Sequence, residues 1–204
     1  MNKSILTKLG NKIELIDGKG KTLIIGVFHG DEPQGKYLID EYLKINNAEG
    51  LLFIPCLNPD GLQLGKRTNA NGVDLNRNFP TKNWELTEKN EFFGGMSAGS
   101  EIETQFLTDT ISEFKPELIL TLHAPYKVVN YDGPAKEISE KISQIINYPV
   151  EESIGYPTPG SFGTYAGIER QIPTLTLELD EVCPVQDLVK PVFQIFDMLK
   201  KRGL

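Results

Sequence analysis

The chain contains two histidines, His29 and His123, and the first opens the segment His29-Gly30-Asp31-Glu32. In a turn entering a helix, positions three apart can aim two side chains at one point, here an imidazole nitrogen and a carboxylate oxygen. Both are ordinary zinc donors, and two His with one Glu form a catalytic set that leaves a position for water. The third donor has to come from elsewhere, and His123 is the only other imidazole. Spacing alone equally fits a bland reading, in which each histidine is a hydrogen-bonded structural residue at a strand end.

The elements that would position these residues follow from periodicity. Ile13 and Leu15 alternate with polar residues before Gly18-Lys19-Gly20, which predicts a short strand and a hairpin. Thr22 to Phe28, Leu51 to Pro55, Leu118 to Leu122 and Thr174 to Leu179 are apolar runs expected of strands buried on both faces. A helix is expected from about Pro33, with Leu38, Tyr42 and Ile45 at helical spacing. A second has Ile102, Phe106, Thr110 and Phe114 on one face, with Ser100 and Glu103 as a capping box and Pro116 ending it. Helices are also expected from Pro134, with Ile138, Ile142 and Ile145, and from near Pro184, with Pro191 kinking the last one. Lys200, Lys201 and Arg202 suit the carboxyl end of that helix. Leu57 to Gly99 is rich in Asn, Gly and Pro and lacks periodicity, and a stretch that long in a compact domain is usually functional. Within it, Asn58-Pro59-Asp60-Gly61 reads as a turn.

Strands alternating with helices indicate a three-layer α/β sandwich around a largely parallel, mixed sheet, built as a single domain over 1–204. Sites in such sheets form beyond the carboxyl ends of the strands. His29, Asn58, His123 and Glu178 each stand at or just after such an end.

Composition narrows the partners. With 39% hydrophobic and 24% charged residues the chain is an ordinary globular one, and a formal charge of -7 without a basic stripe excludes a nucleic-acid backbone. No apolar run approaches a membrane span and Met1 to Gly10 lacks the core of a signal peptide, so a reduced, cytoplasmic setting is expected. Cys56 and Cys183 are far apart and in no metal spacing, which predicts free thiols.

Five segments occur in a telling order: His29-Gly30-Asp31-Glu32, Asn58-Pro59-Asp60-Gly61, Asp74-Leu75-Asn76-Arg77-Asn78-Phe79-Pro80, His123, and Thr176-Leu177-Glu178-Leu179. On these the chain resembles the zinc metallocarboxypeptidases from about Thr22 to its end. Within that family it is most similar to the bacterial murein peptide amidases, particularly through Gly155 to Gly163. Those enzymes cut the bond between γ-D-glutamate and meso-diaminopimelate in cell-wall peptides. The resemblance implies a zinc-carboxypeptidase-like fold and one zinc ion held by His29, Glu32 and His123. It makes Glu178 the general base, sets Asn76 and Arg77 on a substrate carboxylate, and places Arg67 on the scissile carbonyl. It further implies Asp74 as the acceptor that orients a zinc histidine, and Tyr156 as the family's mobile tyrosine on the substrate.

The chemistry agrees with the resemblance. A guanidinium is a planar fork that a carboxylate fits, and a chain of charge -7 needs such a local clamp for an anionic substrate. Each residue also has a plainer reading: Glu178 as a solvent-facing edge residue, Arg77 as a loop-pinning ion pair, Asp74 as a loop cap, Tyr156 as packing. For Arg67 the neighbouring Lys66 competes. The expected partner is a small peptide with a free carboxylate. The alternatives are an N-acyl amino acid deacylase of the succinylglutamate desuccinylase or aspartoacylase type, a general C-terminal carboxypeptidase, and a non-catalytic peptide-binding module.

Overall fold

A computed structural model describes residues 3–152 and 158–201. Eight strands form one mixed sheet: β1 (Lys3–Leu6), β2 (Lys12–Asp17), β3 (Thr22–Gly26), β4 (Leu52–Ile54), β5 (Leu118–His123), β6 (Val128–Asp132), β7 (Val150–Glu151) and β8 (Thr174–Glu178). Their spatial order is β1-β2-β4-β3-β5-β8-β6-β7. The central β4-β3-β5-β8 set is parallel, while β2 on β4 and β6 on β8 run antiparallel. Every residue of β3, β4 and β5 is buried, as their unbroken apolar runs require.

On one face lie α1 (Gln34–Ile45), α4 (Lys136–Ile146) and α5 (Val185–Lys200). Leu38, Tyr42, Ile142, Ile195 and Phe196 from these helices pack on Ile24, Phe53, Leu120 and Leu177 of the sheet. On the other face α3 (Ile102–Phe114) sets Phe106, Leu107 and Ile111 against Leu23, Ile25, Leu52 and Ile119. The sandwich is therefore three layers deep, and α5 runs on through Pro191 as one element. Cys56 and Cys183 are free thiols. Among the described residues no helix is long and apolar enough to cross a membrane.

Four local expectations are corrected. The turn at Gly18–Gly20 closes no hairpin: β2 pairs with β1 and with β4, and not with β3. Asn58-Pro59-Asp60-Gly61 is not a free turn but the start of a helix, α2 (Pro59–Leu64), with Asn58 capping it through Gly61 N and Pro59 in its first turn. The Ser100–Glu103 capping box does not form, because Ser100 Oγ donates to the adjacent Glu101 and the helix begins without a side-chain cap. Ile45 is at helical spacing yet 74% exposed, beyond the edge of the layer that α1 covers. Strands β1, β6 and β7 are additions, since no unbroken apolar run announces any of them.

Candidate metal centre

The centre begins with a strained turn. After β3, Val27 takes φ 54, a left-handed conformation that is unusual for a β-branched residue. Its carbonyl accepts from Asn58 N at 2.9 Å, and Gly26 O accepts from Leu57 N at 3.0 Å, so the ends of β3 and β4 are tied together. Asn58 Nδ2 donates to Phe28 O at 3.2 Å and to Arg67 O at 3.3 Å. Gly30 is required here by space: a Cβ on it would lie 1.9 Å from the backbone of Gly61. The turn and α2 thus meet backbone to backbone, which fixes where His29 emerges.

Three buried or nearly buried donors converge. His29 Nδ1 is 2.7 Å from Glu32 Oε1, and His123 Nδ1 is 3.0 Å from Glu32 Oε2. The donor atoms of His29, Glu32 and His123 all lie within 4.8 Å of one another. The other face of His29 is held by Asp74, whose Oδ1 sits 3.2 Å from Nε2. Burial alone would lower the His29 imidazole, but the carboxylates of Asp74 and Glu32 outweigh it and hold the group up at about 9. Burial would likewise raise the carboxyls of Glu32 and Asp74, yet the neighbouring His29 keeps both well below the usual carboxylate range. The His29 imidazole thus lies between two carboxylates.

Glu178 stands beside this group by strand register, since it is the direct neighbour of His123 across β5 and β8. Its residue is 8% exposed and its Oε2 has no hydrogen-bond partner among the described residues. Burial, opposed by His123 and reinforced by Glu32, pushes its carboxyl above the ordinary value. A buried acceptor left without a donor costs free energy unless a ligand, ion or water satisfies it. The residues therefore fit a divalent ion: two imidazoles, a carboxylate, an acceptor orienting one imidazole, and alongside them a carboxylate with one oxygen unpartnered among the described residues.

These residues line a cavity of about 800 Å³, which Arg67, Asn76 and Arg77 also enter. Arg67 is braced: Nε and one terminal nitrogen donate to Asp74 Oδ2 at 3.1 and 3.0 Å, its other terminal nitrogen lies 3.9 Å from Glu32 Oε1, and its guanidinium stacks on Phe92 at 5.2 Å. Asn76 and Arg77 lie in a single helical turn, Leu75–Arg77, whose start Asp74 caps by accepting from Asn76 N at 2.8 Å. Asn76 Oδ1 accepts from Phe162 N at 2.9 Å. The carbonyl of Arg77 is packed between Gly94 and Gly160, where a Cβ would come within 2.5 and 2.2 Å.

The structure thus brings together His29, Glu32, His123, Glu178, Asp74, Arg67, Asn76 and Arg77. Tyr156 lies outside the described residues. Sequence reasoning missed Phe92 as the stacking partner of Arg67 and Asn58 as the brace behind His29. For Asn58 the signal was present, because an Asn-Pro pair before an apolar position is a helix start as well as a turn.

Comparison with known proteins agrees with this geometry. Residues 8–155 match the family model described as zinc carboxypeptidase. Murein peptide amidase A of Escherichia coli (strain K12) is 32% identical over 192 residues, covering 87% of this chain and 78% of that protein. Its counterpart in Vibrio campbellii is 34% identical over 184 residues, covering 82% and 72%. The crystal structure of murein-tripeptide amidase MpaA from Escherichia coli O157 superposes with a TM-score of 0.88 at 29% identity, over 98% of this chain and 91% of that one. Carboxypeptidase A from Helicoverpa armigera shares the fold with a TM-score of 0.75 at 18% identity, over 100% and 68%. The chain belongs to the zinc carboxypeptidase family and is a hydrolase of peptide or amide bonds.

Proposed function

We propose that the protein hydrolyses the γ-D-glutamyl–meso-diaminopimelate bond of cell-wall peptides, in the cytoplasm and in the recycling of murein. The single observation that carries the chemistry is the unpartnered Oε2 of Glu178 next to the His29–Glu32–His123 group. The substrate rests on the two murein peptide amidases, matched at 32% and 34% identity.

His29, Glu32 and His123 would hold a zinc ion, which would supply Lewis acidity there, lowering the pKa of water and favouring negative charge on a carbonyl oxygen. Glu178 accepts a proton from the attacking water at Oε2 and returns it to the leaving nitrogen, so the C–N bond breaks as the new C–O bond is kept. Arg67 turns the terminal nitrogen not bound to Asp74 toward the oxyanion while Asp74 holds the rest of the guanidinium still, which is the preorganisation that makes such charge effective. Arg77, with Asn76, holds the free carboxylate of the residue whose amine departs.

The test is hydrolysis of L-Ala-γ-D-Glu-meso-diaminopimelate by zinc-loaded protein, chelator-treated protein and Glu178→Gln, with released diaminopimelate quantified. The expected result is metal-dependent release, reduced about 10²- to 10⁴-fold in the variant. Release from an N-acyl amino acid or an ordinary peptide instead would replace this substrate. Full turnover by Glu178→Gln would remove Glu178 from its role.

A further inference from the structure

Arg67 and Arg77 stand near the two ends of one irregular segment, and each is followed closely by a buried asparagine, Asn69 and Asn78. Asn69 closes a turn. Its Oδ1 accepts from Asn71 N at 2.9 Å and from Val73 N at 3.1 Å, and its own N–H donates to Val73 O at 2.9 Å. That turn joins Arg67 to Asp74, and the two side chains pair across it. Asn78 secures the chain behind Arg77. Its Nδ2 donates to Gly94 O at 2.8 Å, to Ser97 O at 3.2 Å and to Ser100 Oγ at 3.0 Å. Gly95 leaves the space for this, since a Cβ on it would lie 2.6 Å from that Nδ2.

One residue joins the two arrangements. Glu101 Oε2 accepts from Asn69 Nδ2 at 2.8 Å and from Asn71 Nδ2 at 2.7 Å, while its backbone N–H donates to Asn78 Oδ1 at 3.2 Å. Its Oε1 accepts from Ser100 Oγ at 2.6 Å, the same hydroxyl that meets Asn78. Glu101 is 5% exposed, and these donors to its carboxylate are two neutral amides and a hydroxyl. A buried charge is costly to keep unless it is well hydrogen-bonded. Glu101 stands at the start of α3, yet its side chain does not cap that helix. Ser, Thr, Asp or Asn would suit the position if the helix were all that mattered. A satisfied buried network selects one arrangement of the segments it joins. Here those segments carry the two arginines of the cavity.

We infer that Glu101 is a positioning residue, which fixes the span between Arg67 and Arg77 and so between the two places where substrate anions are held. This rests on the reading above, in which Arg67 faces the oxyanion and Arg77 the free carboxylate. Among the described residues Glu101 is not part of the cavity lining, so it acts through Asn69 and Asn78. The two anionic groups of a substrate are separated by its own bonds, and a fixed span favours one separation over others. A misplacement of about 1 Å that originates far from the chemistry can cost on the order of 10²-fold in rate. Loss of the Glu101 side chain releases the arm that carries Arg67. The backbone bond to Asn78 remains, so the span is what changes.

The test measures binding of the straight-chain dicarboxylates from succinate to suberate to the zinc-loaded protein by calorimetry. A chain too short to span reaches one arginine, and the first that spans reaches both. Affinity is expected to rise about tenfold at that length, the worth of one charge-assisted pair. Glu101→Ala removes the tie, and Asn69→Asp removes the donor while keeping the acceptor that closes the turn. In each the rise should fall to within about threefold, because the second arginine is no longer preorganised. Glu101→Gln keeps the shape and an acceptor oxygen for both amides, and should keep the rise. Circular dichroism of the three variants checks that they fold. A rise that is absent from the unaltered protein, that survives either of the first two substitutions, or that is lost in Glu101→Gln overturns the inference. Hydrolysis of the γ-D-glutamyl tripeptide is assayed in parallel and should fall about 10- to 100-fold in Glu101→Ala. A rise that follows Glu101 without hydrolysis by any form would sink the proposed reaction and leave the positioning role standing.

Discussion

Asp74 Oδ1 lies 3.2 Å from His29 Nε2, and the same carboxylate holds Arg67 with its other oxygen at 3.1 and 3.0 Å. One fully buried side chain therefore orients both an imidazole of the metal group and the guanidinium facing the cavity. Removing it should loosen both at once. Asp74→Ala is expected to weaken zinc binding about 10- to 100-fold, measured by competition with a chromogenic chelator. Unchanged affinity would mean that His29 is oriented without it.

Arg77 should matter only to substrates with a free carboxylate. Arg77→Ala is expected to lower kcat/KM about 10- to 100-fold on the free acid, mainly through KM, as a lost charge-assisted pair would. The same substrate with that carboxylate amidated should already be poor with the unaltered protein and lose little more in the variant. A uniform loss on both substrates would point to a structural role for Arg77 in its packed turn.

The carboxyl of Asp132 gives a pH signature with a definite sign. Its folded value is raised from 3.8 to about 6 by burial, so the native state keeps a proton that the unfolded chain has already released. The stability this proton contributes is complete below the unfolded value and is lost as pH rises through about 6. Each tenfold difference in proton affinity between the folded and unfolded chain is worth about 1.4 kcal/mol, so the loss above neutrality reaches at most about 3 kcal/mol. Asp132→Asn should therefore melt higher than the unaltered protein at pH near 7.5, and the gap should shrink to about a third by pH 4.5 and close below the unfolded value of 3.8. Chelator is present at both pH values, so that loss of metal does not enter. A gap independent of pH would show that ionisation of Asp132 carries no penalty.

Gly30→Ala tests the meeting of the first turn with α2. A Cβ there has 1.9 Å to the Gly61 backbone, which cannot swing aside as a side chain can. The expected loss of stability is about 1–3 kcal/mol, as at other overpacked sites, read by urea unfolding. An unfolding midpoint equal to that of the unaltered protein would mean that α2 yields.

The frame was legible where burial is complete and periodicity therefore simple. Thr22-Leu23-Ile24-Ile25-Gly26 and Leu118-Ile119-Leu120-Thr121-Leu122 announce central strands because both of their faces are covered. Strand ends in turn pointed to His29, His123 and Glu178. What stayed hidden was hidden for physical reasons. The strand Val128-Val129-Asn130-Tyr131-Asp132 reads as a loop because Asn130 and Asp132 interrupt it, and those are the residues that line a second, smaller cavity. Helix α2 was masked by Pro59 and Gly61, which serve turns as readily as helix starts. The partner of β2 could not be read locally, since β4 reaches it only after α1 has crossed the sheet.

The register of β5 on β8 has a consequence for how such a protein can change. His123 and Glu178 are held one strand spacing apart by the backbone ladder, and no loop sets their separation. The rim of the larger cavity is instead carried by connecting segments such as those bearing Phe92 and Pro159. Replacement, lengthening or trimming of the rim can retune which molecules enter while the distance between Glu178 and His123 is inherited unaltered. Selectivity is free to drift, and reactivity is anchored in the core.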